Sequence, residues 1–211
     1  MTQILLVRHG ETAWNAEEVF RGQADVPLNK NGLKQAELLG KYLSRKKIDA
    51  VYSSPLKRAL KTAEAIASRQ SLKVNIAPAL IDMNYGKWQG LTTVEVKQQY
   101  PKIYQTWLET PERAAIPAGE SLDDVKNRAW PFLEEIVAKH DGQNVALVSH
   151  RVVHKVLICA LLKIGNAAFF KFKLDTAGIT RFEVDKKRAV LVSHNDTSFL
   201  EPMGGPTLAD F

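Results

Sequence analysis

Ile4-Leu5-Leu6-Val7-Arg8-His9 and Val145-Ala146-Leu147-Val148-Ser149-His150 share one pattern: four apolar residues in a row, one polar residue, then a histidine. Short apolar runs bounded by polar turns suit strands buried on both faces, the habit of parallel sheets. A third block, Ala50-Val51-Tyr52, leads into Ser53-Ser54-Pro55. Between the blocks, apolar residues recur three and four apart, at Leu33, Ala36, Leu39 and Leu43 and again at Leu56, Ala59, Leu60, Ala63 and Ile66. That is the spacing of a helix with one buried face. Strand then helix, repeated, predicts a three-layer α/β/α sandwich around a mostly parallel central sheet. Ser121 followed by Asp124 marks another helix start, with Val125, Ala129, Phe132, Leu133 and Ile136 on one face. Two short strands, at about 179 to 184 and 189 to 193, are joined through Asp185-Lys186-Lys187-Arg188 and predict a closing hairpin.

The interval 91–119 breaks this rhythm with Pro101, Pro111 and Pro117 and no strand pattern. It reads as a small insertion of helices and loops covering the sheet edge, within a single domain spanning 1–211. The Pro/Gly-rich stretch 202–211 is expected to be a loosely held tail.

Composition narrows the classes. With 211 residues and 45% hydrophobic content, the chain has material for one full core, which argues against disorder. The single cysteine, Cys159, excludes a disulfide scaffold, and no Cys/His spacing of the finger type is present. The N-terminal apolar run stops after four residues, too short for a signal peptide, and no run reaches membrane-spanning length. A cytoplasmic protein without a membrane partner is the expectation. The net charge of +6 sits in one half: residues 1–105 carry 16 Lys+Arg against 9 Asp+Glu, and the remainder 13 against 14.

In open α/β sheets, the edge where strands end is where ligands bind. His9 and His150 stand at such ends, and Arg58 falls in the first turn of the helix after Ser53-Ser54-Pro55, so a guanidinium and helix-terminal N–H groups are expected at the same edge. Arg8 beside His9 makes a dication costly there, so no metal is expected and an anion is favoured. A phosphate brings roughly −1.5 to −2 charges and three acceptor oxygens, and arginine offers paired planar donors that match it. No G-x-x-x-x-G-K-[ST] or G-x-G-x-x-G loop is present, so the cradle must be built from side chains.

Taken together, several motifs in register carry a resemblance. They are Arg8-His9-Gly10-Glu11-Thr12 with Trp14-Asn15, Arg21-Gly22, Asp25 to Leu28, Gly32 and Gln35-Ala36, then Ser54-Pro55-Leu56-Lys57-Arg58-Ala59 with Thr62-Ala63, and Val148-Ser149-His150. From about Ile4 to Leu162 the chain resembles the histidine phosphatase superfamily, also called phosphoglycerate mutase-like. The resemblance implies a metal-independent phosphomonoester phosphatase without a cofactor, in which His9 takes the phosphoryl group as a phosphohistidine. It implies that Arg8, Arg58 and His150 hold the phosphate, that Asn15 contacts it, and that Gly22 supplies a backbone contact. Related phosphatases place a glutamate general acid in a pattern that here runs from Leu80 to Gly90 and puts Asp82 in the glutamate's place, with Tyr85 three residues on at the substrate site. The carboxyl is one methylene shorter, so either its loop sits closer or the proton passes through water.

Arg21 stands where related sequences often have Gln or Thr. Together with Lys87 and Lys97 it predicts a small acidic substrate, of the phosphoserine, ribazole phosphate or phosphoglycerate type. A cofactor-dependent mutase is the alternative, but its Arg-His before Tyr-Gly is here Met83-Asn84, and the covering segment carries only Arg113. A catalytically silent phospho-ligand module is the second alternative. Nucleic acid is not an expected partner, since Arg45-Lys46-Lys47 has only Tyr42 beside it. A homodimer through the C-terminal strands and tail stays open. His154, four residues after His150, and Cys159 read as packing residues. Trp88, Trp107 and Trp130 read as core or cover anchors, with Tyr100, Tyr104 and Trp107 as candidates to line a pocket. His140 and His194 carry no assignment.

Overall fold

The computed structural model describes residues 1–205. Six strands form one sheet: β1 (Thr2–Arg8), β2 (Ala50–Ser53), β3 (Val74–Ile76), β4 (Asn144–Ser149), β5 (Ile179–Val184) and β6 (Ala189–Asp196), in the spatial order β3-β2-β4-β1-β5-β6. Pairs β2–β3, β2–β4 and β1–β4 are parallel, while β5 runs antiparallel to both β1 and β6. The helices are α1 (Ala13–Ala16), α2 (Lys30–Leu43), α3 (Lys57–Ala67), α4 (Thr93–Gln99), α5 (Pro101–Glu109), α6 (Leu122–Lys139) and α7 (Arg151–Leu161). None among the described residues is long and apolar enough to cross a membrane.

Alternation along β1 explains the layers. Leu5 and Val7 pack with Leu39 and Leu43 of α2 and with Ala59, Ala63 and Ile66 of α3. Ile4 and Leu6 face the other way, into a core with Leu133 and Ile136 of α6 and Val153 and Leu157 of α7. Successive strand side chains point to opposite faces, so a strand buried on both sides needs the unbroken apolar run that β1 and β4 show. Leu33, expected on the buried face of α2, is 47% exposed. Its place is taken by Gly32 and Gln35, which turn inward at the start of that helix. The strand β3 has no apolar run and is an edge of three residues, and β6 continues three residues past the expected hairpin.

The helices begin as the capping chemistry requires. Ser121 accepts from the Asp124 N–H at 3.1 Å while Asp124 accepts from the Ser121 N–H at 2.8 Å, a reciprocal cap on α6. Thr92 and Glu95 do the same for α4. Helices α4 and α5 and the turn Pro111–Arg113 follow one another between β3 and α6. Their apolar side is an aromatic cluster in which Trp107 meets Trp88, Phe169 and Phe170 at 5.4–6.3 Å between ring centroids. This cluster is continuous with the α6/α7 core, and removing a buried Trp107 side chain would cost about 3–5 kcal/mol. The end of this segment approaches the chain closely at Gly86, whose φ of +49° is a left-handed conformation and whose Cβ would lie 2.2 Å from the Pro117 carbonyl.

Part of the stretch expected to be a loose tail is ordered: Pro202 and Met203 end a 3-10 segment, Ser198–Met203, in which Leu200 is buried. Residues 206–211 lie outside the described residues.

Candidate active site

Arg8 pairs with Ser149 in the β1–β4 register, so the next residues, His9 and His150, leave the sheet side by side. Their rings stand 5.1 Å apart between centroids, inclined at 58°. The His9 N–H donates to the Ser149 carbonyl at 3.0 Å, and its carbonyl accepts from the Ala177 N–H at 3.1 Å. Gly10 N–H donates to Thr62 Oγ1 at 3.1 Å and Glu11 N–H to Gln35 Oε1 at 2.8 Å, so α3 and α2 fix the turn after β1.

Within that turn, His9 Nδ1 lies 2.6 Å from the Gly10 carbonyl oxygen. Only a protonated nitrogen bonds to a carbonyl, which assigns the ring proton to Nδ1 and leaves the lone pair on Nε2. Burial drives the His9 pKa well below the ordinary histidine range, the charges of Arg58, Arg21 and Arg8 push the same way, and the Gly10 bond opposes them. The ring is a neutral base in a field of cations.

Arg58 is fully buried and organises its surroundings. It donates from Nη1 to the Ala24 carbonyl at 2.7 Å, from Nη2 to the Gly22 carbonyl at 2.7 Å and Asp82 Oδ2 at 3.0 Å, and from Nε to His150 Nδ1 at 3.3 Å. Since His150 Nδ1 accepts, its proton is on Nε2, 2.8 Å from Ser54 Oγ. Burial, followed by the Arg58 charge, holds the His150 pKa well below its usual value. The first N–H of α3 does not face the edge as expected; Lys57 N–H donates to Asp25 Oδ1 at 2.8 Å.

Asp82 is 5% exposed. Its Oδ1 accepts from the Met83 N–H at 2.9 Å, its Oδ2 receives Arg58, and His150 Nδ1 is 3.5 Å from Oδ2. Its loop is braced from α6 by Arg128, which donates to the carbonyls of Ala79, Ile81 and Asp82 at 2.7–3.1 Å and is held by Glu120 at 2.8 Å. Nothing local in the sequence marks Arg128, because its targets lie 46–49 residues away.

Arg8 donates to the Leu174 carbonyl. Arg21 is buried, and its Nε and Nη1 have no hydrogen-bond partner. Its pKa is pushed down to about 9, first by burial, then by Arg8 and Arg58 and also by Arg151, with Asp82 opposing. Buried donors without acceptors, crowded by like charge, are chemically suited to an anion. Arg21, Gly22, Asp82 and Tyr85 line one pocket together with Phe20 and Arg151. Gly22 sits there at φ +51°, and its Cβ would lie 2.7 Å from Gln89 Oε1; its contact is the carbonyl that holds Arg58.

Asn15 is buried, and its Oδ1 accepts from both the N–H and the hydroxyl of Thr12, at the start of α1. Lys87 and Lys97 are exposed, and neither lines the pocket. Tyr100 and Tyr104 pack on Trp88 at 6.4 and 6.2 Å, and Trp107 on Tyr85 at 6.1 Å, so they build an aromatic cluster, and none of them lines the pocket. Trp130 is half-buried on α6. His154 is buried with a pKa lowered to about 3 by desolvation, and burial raises the Cys159 thiol to about 11. His140 bonds to Tyr52 and Gln143, and His194 to the Lys173 carbonyl. No group of three or more His, Cys, Asp or Glu among the described residues is placed to hold a metal. Arg151, directly after His150, is the pocket residue that sequence reasoning missed; read as part of an amphipathic helix, it looks like a surface cation.

Residues 4–197 match the model of the histidine phosphatase superfamily (branch 1). The chain belongs to this superfamily. Phosphoserine phosphatase 1 of Hydrogenobacter thermophilus is 38% identical over 200 residues, covering 95% of each chain. Among solved structures, YhfR of Bacillus stearothermophilus superposes with a TM-score of 0.90 at 31% identity, over 95% of this chain and all of that one. Phosphoserine phosphatase of Entamoeba histolytica, in complex with phosphoserine, does so with a TM-score of 0.86 at 30% identity and the same coverage. The histidine phosphatase fold thus accounts for the six-stranded sheet and its flanking helices.

Proposed function

We propose that this histidine phosphatase hydrolyses small phosphomonoesters without a metal, through a phosphohistidine on His9, using residues of one domain with 91–119 as its cover. The observation that carries the reading is the His9 tautomer: a neutral ring whose proton is engaged by Gly10, leaving Nε2 nucleophilic amid Arg8, Arg21 and Arg58. These guanidinium groups offset the phosphate charge that would otherwise repel an incoming lone pair, and they do so in a water-poor site where such stabilisation is large. His150 and Arg58 complete the phosphate cradle, with Asn15 reaching it through its amide nitrogen.

Nε2 forms a bond to phosphorus as the bond from phosphorus to the leaving oxygen breaks, and Asp82 supplies the proton that the departing alcohol needs. Arg58 links the two events. A phosphate arriving on its guanidinium competes with Asp82 Oδ2 for the same donors, which frees that oxygen to face the leaving group. In the second step Asp82 takes a proton from water, the water oxygen bonds to phosphorus, the bond to Nε2 breaks, and inorganic phosphate leaves. The relatives named for phosphoserine support a small phosphorylated metabolite as substrate.

The test is a trapped intermediate. Wild-type protein mixed with labelled substrate and quenched in base should retain acid-labile label, and His9→Ala should retain none; label at full level in the variant would overturn the assignment. Turnover of p-nitrophenyl phosphate should persist in a chelator, and its loss would sink the metal-free mechanism.

A further inference from the structure

We propose that the protein forms a homodimer in which the edge strand β6 pairs antiparallel with β6 of a second copy, joining the two six-stranded sheets into one. Strand β6 ends the sheet order, and among the described residues no strand pairs with its outer side. It is eight residues long, where the opposite edge, β3, has three. Val190, Leu191 and Val192 are consecutive and each 38–43% exposed. An edge that stays single is ordinarily kept short or carries Lys or Pro, and the run from Ala189 to Asn195 has neither. The inference stands apart from the phosphatase reading, since β6 carries none of the site residues.

The backbone sets the register. Asp185 N–H donates to the Arg188 carbonyl at 3.0 Å, and Val184, Glu183 and Phe182 then pair with Ala189, Val190 and Leu191. Hydrogen-bonded and open pairs alternate along an antiparallel ladder, so the N–H and C=O of Ala189 and Leu191 point away from β5, toward the open edge. A two-fold axis through Val190 lets Ala189 of each copy exchange both bonds with Leu191 of the other. Val190 then meets its own counterpart at about 4.5 Å between Cα atoms. The bulge at Val192, skipped between the Phe182–Leu191 and Arg181–Ser193 pairs, lies beyond this ladder and ends it.

Two further features select a second copy of this chain as the occupant. Leu191 shares the sheet face of Phe182, which packs into the α6/α7 core, and Ala189 packs against that core too. In this register Leu191 of the copy sits beside Ala189, where a groove of about 920 Å³ opens between α6, α7 and the β5–β6 turn, floored by Leu133, Leu161, Val184 and Ala189. Each copy supplies a leucine to the other's groove. Charge agrees with the same axis. The basic turn Lys186-Lys187-Arg188 of one copy runs alongside residues 192–194 of the other, with Lys186 diagonal to Asp196. The two turns stay about 20 Å apart, where salt screens their repulsion.

A ladder this short makes a small interface that associates reversibly, so sedimentation of the full chain over about 1–200 µM should show its mass doubling. Leu191→Lys, which puts a charge at the groove, should weaken association at least tenfold, and a Tm within about 3 °C of wild type shows that the variant is folded. Where it is not, a cross-link decides. Oxidised Val190→Cys, whose thiols meet across the axis at disulfide spacing, should run as a covalent dimer, while Leu33→Cys, at an exposed position on α2, should not. Cys159 is buried and adds no background. A wild-type chain that stays monomeric at the highest concentration would overturn the proposal. So would a dimer that folded Leu191→Lys leaves intact, or Val190→Cys cross-linking no faster than Leu33→Cys, since either result puts the contact elsewhere.

Discussion

Replacing Arg21 with Gln should make the ligand-free protein more stable while making it a worse receptor for phosphate. The Arg21 guanidinium is 7% exposed, two of its nitrogens lack acceptors, and Arg8, Arg58 and Arg151 surround it. Its pKa is displaced from the ordinary arginine value to about 9, and at about 1.4 kcal/mol per tenfold change in proton affinity this is on the order of 4–5 kcal/mol of strain in the charged form. Because the folded value lies below the unfolded one, that penalty is present at every pH below about 9 and is relieved only as pH rises through it. Glutamine removes the charge but forfeits packing of the arginine stem and still buries an amide, which returns part of the gain. The expected net gain is about 1–3 kcal/mol, a rise in Tm of about 3–9 °C for a chain of this length.

The assay is thermal unfolding at pH 7 with and without inorganic phosphate. Saturating anion at about a hundred times its Kd contributes about 2.7 kcal/mol, so phosphate should raise the wild-type Tm strongly and the variant's much less, and the two curves should converge or cross. Arg21→Gln protein that melts well below wild type without phosphate would refute the idea that Arg21 is held under strain for its ligand. An equal phosphate increment in both proteins would refute its part in the cradle. Sites that bind charge are commonly kept at a cost in stability.

Asp82→Asn keeps the size of the side chain and should reduce hydrolysis of alkyl phosphates by about 10²–10⁴-fold, while p-nitrophenyl phosphate, whose leaving group needs little proton help, should lose much less. Equal rates for wild type and variant on the alkyl ester would remove Asp82 from the role. Arg128→Met should leave three loop carbonyls short of a donor, lowering Tm by about 2–10 °C and lowering kcat more than it raises KM. A variant with native kcat would show that the Asp82 loop needs no brace.

Legibility followed the range of the forces involved. The runs Ile4 to Val7 and Val145 to Val148 announce strands buried on both faces, and Ser121 with Asp124 announces α6, because those signals are local. Edge strand β3 went unread since Val74, Asn75 and Ile76 have no buried face to pattern; Ile76 is 53% exposed. Leu33 was misplaced because the inward face of α2 begins on Gly32 and Gln35, where close backbone approach and a hydrogen bond to Glu11 outweigh hydrophobicity. At the site, the residues delivered by strand ends were legible by position. Arg151 and Arg128 were not, since a buried arginine looks like a surface one until its distant acceptors are known. Lys87 and Lys97 show the reverse error: charge near the right place in sequence, but on the outer face.

The register that sets Arg8 opposite Ser149 also fixes when the site can exist. Strand β1 lies between β4 and β5, so Gln3 to Arg8 of the first strand find their earlier partners only 141 positions further along the chain, as Gln3 does in Asn144. Such pairing is slow, and both edges of β1 stay open in the meantime. The two histidines are brought together by the pairing that joins β1 to β4. A chain whose first strand has not met β4 lacks that histidine pair, which makes turnover itself a reporter of that long-range pairing.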